Sequence, residues 1–220
     1  MDALLIAAAG AGIVAGIVHA LTGPDHLAAI APLSLERRAE AWRIGLSWGL
    51  GHSGGVWLLS LLVFRLRGSF PTEQLSNWGE RLVGVVLVAI GLWSCRRALR
   101  SQIALCPSGP GRGEASRTAG APPHRHSHAP FGIGLLHGVA GSHHFLAALP
   151  VLALPNRAAA GGYIGGFGVG AILGMALFSW VLGRWAPLPS GGGRRVRAAR
   201  LATGGFAIGI GVFWLWVGGL

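Results

Sequence analysis

Six stretches of the sequence are long and apolar enough to lie within a lipid bilayer. About 20 consecutive apolar residues in a helix match a hydrocarbon core roughly 30 Å thick. The chain is 52% hydrophobic and only 11% charged, with a mean hydropathy of +0.56, which excludes an ordinary soluble domain. We therefore predict an all-α integral membrane protein with about six transmembrane helices. The stretches are Ala3–Leu21, Ile44–Arg65, Leu82–Cys95, Phe131–Leu154, Gly161–Gly183 and Leu201–Leu220.

The arginines between these stretches predict how the helices are oriented. All 18 basic residues are arginine, and 14 of them lie in the connections after the first, third and fifth stretches. The positive-inside rule therefore predicts that these connections are cytoplasmic and that both termini are outside, in a bacterial-type plasma membrane. The net charge of +11 then indicates topology rather than nucleic-acid binding. Asp2 rather than a basic residue precedes the first stretch, so we expect a membrane helix rather than a removable signal peptide.

Two parts of the sequence resemble each other. Gly16–His26 aligns with Gly134–His144 without a gap at an offset of 118 residues, and glycines of the following stretch match at an offset of 119. Chance recurrence of small residues in helices is the alternative explanation. Each copy contains three stretches, an odd number, so the copies would face opposite ways across the membrane, as in many secondary transporters. We predict a three-helix repeat over residues 1–99, a flexible Arg- and His-rich cytoplasmic loop over 100–130, and an inverted three-helix repeat over 131–220.

The end of the first apolar stretch carries His19, Asp25 and His26 around a Gly23-Pro24 pair. In a regular helix the two histidines would be about 10 Å apart, too far to bind one ion. Pro24 has no N–H group, so we predict that the helix breaks near Gly23-Pro24 and that the polar side chains converge. Pro24 suits the first position of a second half-helix, and the helix dipole favours Asp25 in its first turn.

These residue types favour a site for a divalent transition metal. Imidazole suits Ni²⁺, Co²⁺, Cu²⁺ and Zn²⁺, whereas Ca²⁺ and Mg²⁺ need more oxygen ligands. Asp25 is the only carboxylate well inside an apolar stretch. A charge there costs at least about 2.5–3.5 kcal/mol, which favours a functional role. The alternative is a pair of buried, hydrogen-bonded histidines in a proline kink.

Further histidines lie in other apolar stretches and in the central loop. His52, within a Gly-His-Ser-Gly element, is predicted to bind the ion or to orient a ligand, with close helix packing as the alternative. The second copy of the motif lacks a carboxylate, and its adjacent histidines, His143 and His144, cannot both reach one ion unless the backbone is irregular. The predicted metal-binding residues are His19, Asp25, His26, His52, His137, His143 and His144. The loop histidines, which either hold metal loosely or are merely solvated, are His124, His126 and His128.

Together, these motifs resemble those of the nickel/cobalt transporter superfamily. Its signature is a histidine followed by Asp-His in one membrane helix and a Leu-Gly-His-Ser element in the next, here His19, Asp25-His26 and Leu50–Ser53. The form His-Ala-Leu-Thr-Gly-Pro-Asp-His is most similar to the six-span UreH-type members, which are associated with nickel supply to urease. The resemblance implies metal recognition by His19, Asp25, His26 and His52, and translocation of nickel or cobalt. HupE-like proteins are a near alternative within the same functional class.

The sequence thus predicts a secondary transporter of a divalent transition metal, with Ni²⁺ as the first candidate and Co²⁺ as the next, rather than an enzyme. The expected partners are the transported ion, the lipid bilayer and a cytoplasmic metallochaperone, with no nucleic acid and no prosthetic group. The alternative from another class is an intramembrane serine protease, with Ser53 as nucleophile and a membrane histidine as base. A membrane haem protein with two histidine ligands is a third hypothesis.

Overall fold

The computed structural model describes residues 2–66, 72–103, 128–140, 149–186 and 193–217, and every regular element in these ranges is helical. The α-helices are α1 (Asp2–Thr22), α2 (Pro24–Glu36), α3 (Ala41–Leu66), α4 (Thr72–Ile103), α5 (Ala129–Ala140), α6 (Arg157–Trp185) and α7 (Gly193–Val217). Short 3-10 segments, Arg38–Glu40 and Leu149–Ala153, precede α3 and α6. The predicted all-α class is confirmed for this part of the chain.

Four of the described helices are long and apolar enough to cross a membrane. The segments are Ala3–Thr22, Asn77–Arg100, Arg157–Trp185 and Gly193–Val217. Large apolar side chains such as Ile6, Leu173 and Trp216 are exposed on these helices. Such exposure is expected where a helix faces lipid rather than water. The four helices indicate a multi-pass membrane protein.

The count of six membrane-spanning helices stays a prediction. The stretch Ile44–Arg65 lies within α3. The described part of the stretch Phe131–Leu154 consists of the helical residues up to Ala140 in α5 and the 3-10 segment Leu149–Ala153. Residues 141–148 lie outside the described part of the chain. So do residues 104–127 of the predicted loop, so the proposed division of the chain into two repeats also stays a prediction.

The predicted break between the first two half-helices is present. α1 ends at Thr22, and α2 begins at Pro24 with Gly23 as its N-cap. The Gly23 N–H donates to the His19 carbonyl (3.1 Å), so the last turn of α1 closes before the break. A Cβ atom at Gly23 would lie 2.5 Å from Nδ1 of His26. Glycine is therefore required here because the His26 ring folds back against the chain.

Glycines bring the long helices into backbone contact. A Cβ atom at Gly16 of α1 would overlap the Phe167 carbonyl of α6, and one at Gly134 of α5 would overlap the Trp48 carbonyl of α3. Small residues at such positions let helices approach closely in a membrane, where packing and not the hydrophobic effect drives their association. The helix pairs α1–α6 and α3–α5 therefore share the same kind of interface.

These contacts match one another at the offsets found in the sequence. Gly134 follows Gly16 by 118 residues, and Phe167 follows Trp48 by 119, so the contact of Gly16 with Phe167 has its counterpart in that of Gly134 with Trp48. In the pair α4–α7 the two helices make equivalent contacts with each other. Gly91 of α4 faces the Gly204 carbonyl of α7, and Gly204 faces the Gly91 carbonyl. Exchanging the two parts of the chain thus reproduces the same helix pairing.

The register of the glycine contacts also gives the helix directions. Contacts between α1 and α6 advance together, from Gly12 with Tyr163 to Gly16 with Phe167, so these helices are parallel. The contacts of α3 with α5 advance in the same way. Contacts between α3 and α6 run oppositely, from Gly45 with Met175 to Gly49 with Ile172. The matched helices α1 and α5 consequently run in opposite directions.

The three Arg-rich connections predicted from the sequence meet at one end of the helix bundle. Nε of Arg38, after α2, donates to the Gly183 carbonyl near the end of α6 (3.2 Å). Glu36, at the end of α2, forms ion pairs with Arg97 of α4 and Arg200 of α7. This grouping agrees with the sequence pattern, while the side of the membrane that it faces stays a prediction.

Candidate metal site

Three imidazoles from three helices converge at the break between α1 and α2. His19 lies in the last turn of α1, His26 lies in the first turn of α2, and His52 lies near the middle of α3. One ring nitrogen from each can be chosen such that all three atoms lie within 4.8 Å of one another. The ring centroid of His26 is 4.9 Å from that of His19 and 4.8 Å from that of His52. The break therefore brings His19 and His26 far closer than the spacing of a straight helix allows.

The three histidines differ in how far they are buried. His26 and His52 are 2% and 1% exposed, whereas His19 is half-buried. Asp25 adds a carboxylate beside them, with its Oδ2 atom 3.8 Å from Nε2 of His26. The Asp25 side chain keeps 21% of its surface exposed. A carboxylate at the exposed side of a buried imidazole group can attract a cation and offset part of its charge.

Two aromatic residues line the histidine group. Trp48, which is fully buried, lies one turn before His52 in α3 and stacks on its ring at 4.9 Å with an interplanar angle of 10°. Phe167 of α6 lies 5.2 Å from the His19 ring. These rings restrict the imidazole orientations and exclude water from one side. Sequence analysis did not single them out, although the offset of 119 residues that relates Trp48 to Phe167 could have revealed them.

His137 lies beside the three histidines rather than among them. Its ring centroid is 6.2 Å from that of His26, and the residue is 2% exposed. Nδ1 lies 3.1 Å from the Ile133 carbonyl, so this nitrogen must carry the hydrogen and donate it. The bond leaves the lone pair on Nε2 and fixes the ring's orientation. The structure therefore brings His137 near the group but does not include it in the set of three.

Of the other predicted histidines, the structure describes one. His143, His144, His124 and His126 lie outside the described residues. His128 is described, and it is exposed just before α5 begins. Its proposed role in holding metal loosely stays a prediction, as does any role for the adjacent pair.

A cavity of about 360 Å³, here called the histidine cavity, opens next to the group. Its lining includes His19, Asp25, His26 and His137, together with Glu80 of α4 and Trp214 of α7. Glu80 was missed because it precedes the third apolar stretch predicted from the sequence. It falls inside the apolar segment Asn77–Arg100 of α4, so Asp25 is not the only carboxylate within an apolar helix.

Ser53 has a packing role in the structure. It is 2% exposed, and its Oγ donates to the Gly168 carbonyl of α6 at 3.0 Å. A serine nucleophile needs a hydrogen bond to a base within reach, but the described contact of Ser53 is to a backbone carbonyl of the neighbouring helix. The structure therefore gives no support to the serine protease alternative.

Known proteins similar to this chain include plant and bacterial sequences. Chloroplast protein FOR GROWTH AND FERTILITY 1 of Arabidopsis thaliana is 33% identical over 188 residues, covering 81% of this chain and 50% of that protein. Chloroplast protein FOR GROWTH AND FERTILITY 2 of the same plant is also 33% identical, over 180 residues, covering 81% of this chain and 48% of that protein. The chain thus spans about half the length of these two relatives.

A third relative is urease accessory protein UreH of Bacillus sp. (strain TB-90). It is 27% identical over 198 residues, which cover 78% of this chain and 74% of that protein. No protein-family model matches the chain, and no solved structure does. The similarity to UreH is distant, but it covers most of both proteins and agrees with the family resemblance of the motifs.

Proposed function

We propose that this protein is a membrane permease for a divalent transition metal ion, which is its substrate rather than a resident cofactor. The observation that carries the proposal is the convergence of His19, His26 and His52, from three helices, with Asp25 beside them. Three imidazoles and a carboxylate are a donor set for late first-row divalent metals. Their position near the middle of α3 suits a binding site deep in the bilayer.

Nickel is the first candidate for the transported ion, and cobalt is the next. The donor set alone fits both, as well as Zn²⁺ and Cu²⁺. Nickel is favoured because the motifs resemble those of nickel and cobalt transporters and because one relative is named a urease accessory protein. A cytoplasmic metallochaperone would then be the partner that receives or delivers the ion.

The transport mechanism that we propose is alternating access between two inverted repeats. The matched, oppositely directed helices α1 and α5 support this arrangement. In this mechanism the ion loses part of its water shell in the histidine cavity, meets Asp25, and is then bound by the three imidazoles. Rocking of one repeat against the other would bring it past His137 and open the route to the opposite side.

The membrane that contains the protein is part of the proposal. A bacterial-type plasma membrane, with the Arg-rich end in the cytoplasm, follows from the arginine pattern. The two chloroplast relatives suggest that proteins with this kind of sequence also serve another membrane.

The decisive test is metal uptake by proteoliposomes that contain the wild type or a site variant. For His26→Ala and His52→Ala we expect Ni²⁺ and Co²⁺ uptake to fall to the level of empty vesicles, because each removes a buried donor from the set of three. Asp25→Asn should retain the fold but lower uptake, since it removes the charge and keeps the shape. Zn²⁺ and Cu²⁺ measured in parallel would rank the metals.

His128→Ala is the matched control, because it removes an exposed histidine outside the histidine cavity. It should transport like the wild type. All variants are compared at equal amounts of monodisperse protein in the vesicles. Normal uptake by both His26→Ala and Asp25→Asn would rule out the proposed site, and absence of uptake of every tested metal by the wild type would rule out the function.

A further inference from the structure

A second cavity lies at the other end of α2. This arginine cavity has a volume of about 310 Å³ and is lined by Leu35, Glu36, Arg38, Val196, Ala199 and Arg200, among others. The histidine cavity begins at Pro24, the first residue of α2, and the arginine cavity begins near Glu36, its last. A helix of 13 residues separates them, a length of about 18 Å. The half-helix α2 thus extends from the candidate metal site to the arginine cavity.

The two cavities lie at opposite ends of the bundle. Glu80 lines the histidine cavity, while Arg97 pairs with Glu36 beside the arginine cavity, and both residues belong to α4. Seventeen residues of helix between them correspond to about 25 Å along the axis. This distance is close to the thickness of a hydrocarbon core. The cavities therefore have the positions of two vestibules on opposite sides of a membrane.

Between the two cavities, α2 packs tightly against its neighbouring helices, and this contact region is here called the seam. Ala28, Ala29 and Ile30 are completely buried. Ile30 packs in a cluster with Trp48 of α3, and the two alanines pack in a cluster with Leu87 of α4. An ion could pass along α2 from one cavity to the other only if α2 parted from the helices packed on it, α3, α4 and α7. The structure thus describes a closed passage between the site and the arginine cavity.

Glu36 holds this seam closed at the arginine end. Its side chain is 8% exposed, and its two oxygens are shared between two arginines from different helices. Arg97 Nε of α4 lies 3.0 Å from Oε2, and Arg200 of α7 contributes Nε at 2.9 Å from Oε1 and Nη2 at 3.2 Å from Oε2. Ser94 further fixes α7 by donating to the Arg200 carbonyl at 3.1 Å. One carboxylate therefore connects α2 to both members of the α4–α7 pair.

We infer that the ion pairs of Glu36 with Arg97 and Arg200 form the gate at the Arg-rich end of the transport route. In the conformation described, this gate is closed while the histidine cavity gives access to the site from the other end. Opening requires Glu36 to leave both arginines, which frees the end of α2 to move. The inference depends on the proposed transport function for its role but not for its geometry. Glu36 acts on the site through α2, as a positioning residue.

Access to a thiol that is buried behind Glu36 tests the gate directly. Ser34→Cys, a nearly isosteric change at a completely buried position of α2, is introduced after Cys95→Ala and Cys106→Ala, and the rate of labelling by a hydrophilic maleimide is measured in membranes. With Glu36 intact, we expect slow labelling in the absence of metal. Glu36→Gln keeps the shape but removes the charge, and it should raise the labelling rate about tenfold, the effect of a modest shift in the gate equilibrium.

Two further variants keep the test decisive. Arg97 is half-exposed, so Arg97→Gln should fold even if Glu36→Gln does not, and should raise the labelling rate in the same direction but less. Glu40→Gln is the matched control, because Glu40 lies four residues after Glu36 at the same end of the bundle and has no ion pair in the described structure. It should label like the parent protein.

The outcomes separate the gate from the proposed function. Faster labelling of Glu36→Gln and Arg97→Gln, but not of Glu40→Gln, supports the gate whether or not metal is transported. Added Ni²⁺ should change the labelling rate of the parent but not of a His26→Ala variant, and absence of that difference counts against the metal site alone. Parent-like labelling of both Glu36→Gln and Arg97→Gln overturns the gate, as does an equal rise in Glu40→Gln.

Discussion

The two matched parts of this protein share their packing but not their chemistry. α1 lies against α6 as α5 lies against α3, with Gly16 and Gly134 in equivalent contacts. The first part contributes His52 to the candidate site, whereas the position 119 residues later is Ala171, which is also buried. His19 joins the set of three imidazoles, and its counterpart His137 stays outside it.

This difference suggests how a symmetric framework acquires an asymmetric site. Backbone contacts at glycines depend on the absence of a side chain, so both parts must keep them for the helices to pack. The histidines and Asp25 project from the same helices, but the packing of these helices does not depend on them. One part can therefore carry the donors while the other supplies the surrounding helices.

The largest expected effect comes from breaking the shared packing. Gly16→Val and Gly134→Val each place side-chain atoms where a backbone carbonyl lies, and overpacking of this kind costs about 1–3 kcal/mol or more. We expect both variants to lose most monodisperse protein in size-exclusion chromatography after detergent extraction. Gly10→Val and Gly132→Val, on the same two helices with open space around the glycine, should behave like the wild type. Loss in only one part would contradict equivalent packing.

The next effect compares the matched histidines. A residue that only orients a metal ligand contributes about 10–100-fold to affinity. We expect His137→Ala to weaken Ni²⁺ binding about tenfold, and His19→Ala to weaken it more than about 100-fold because it removes one of the three proposed ligands. Isothermal titration of the purified variants measures both. Equal losses would place His137 among the ligands and remove the asymmetry.

A smaller effect on metal binding is expected from replacing Trp48 by the residue type of its counterpart, Phe167. Trp48→Phe gives the first part the residue that the second part has at Phe167, and it reduces the ring that stacks on His52. Aromatic contacts contribute about 0.5–1.5 kcal/mol, and phenylalanine keeps part of this contact, so metal affinity should fall about two- to fivefold. The same titration checks this value, with the thermal unfolding temperature as control for the fold. A loss as large as that of His52→Ala would mean that Trp48 supports the fold of the site itself.

The smallest effect concerns the second carboxylate of the histidine cavity. Glu80→Gln should raise the KM for Ni²⁺ uptake about twofold and leave kcat unchanged, because Glu80 attracts the ion without binding it in the site. The difference should shrink as ionic strength rises, since salt screens such attraction. Glu40→Gln, at the other end of the bundle, should show neither change. A lower kcat for Glu80→Gln would instead make Glu80 part of the binding site.

Much of the fold and part of the site followed from local sequence patterns. The break at Gly23-Pro24 was predictable because a proline inside an apolar helix removes a hydrogen bond wherever that helix packs. The approach of His19 to His26 followed from the same break.

Residues that depend on packing between distant helices were missed or only partly foreseen. The sequence analysis did not single out Glu36, yet it is buried between arginines from α4 and α7. Glu80 lay just before the predicted third stretch, and α4 places it on the wall of the histidine cavity. No local pattern reports such contacts, because they depend on the order and rotation of helices far apart in the sequence.

By itself, the sequence determined the helical membrane class, the break in the first stretch and the residue types able to bind a transition metal. Each of these depends on neighbouring residues, through apolar length, proline geometry and imidazole chemistry. Only the tertiary structure decided that His52 joins His19 and His26 while His137 lies aside. The reason is that glycine contacts set the distance and rotation of each helix pair, and these set which side chains meet.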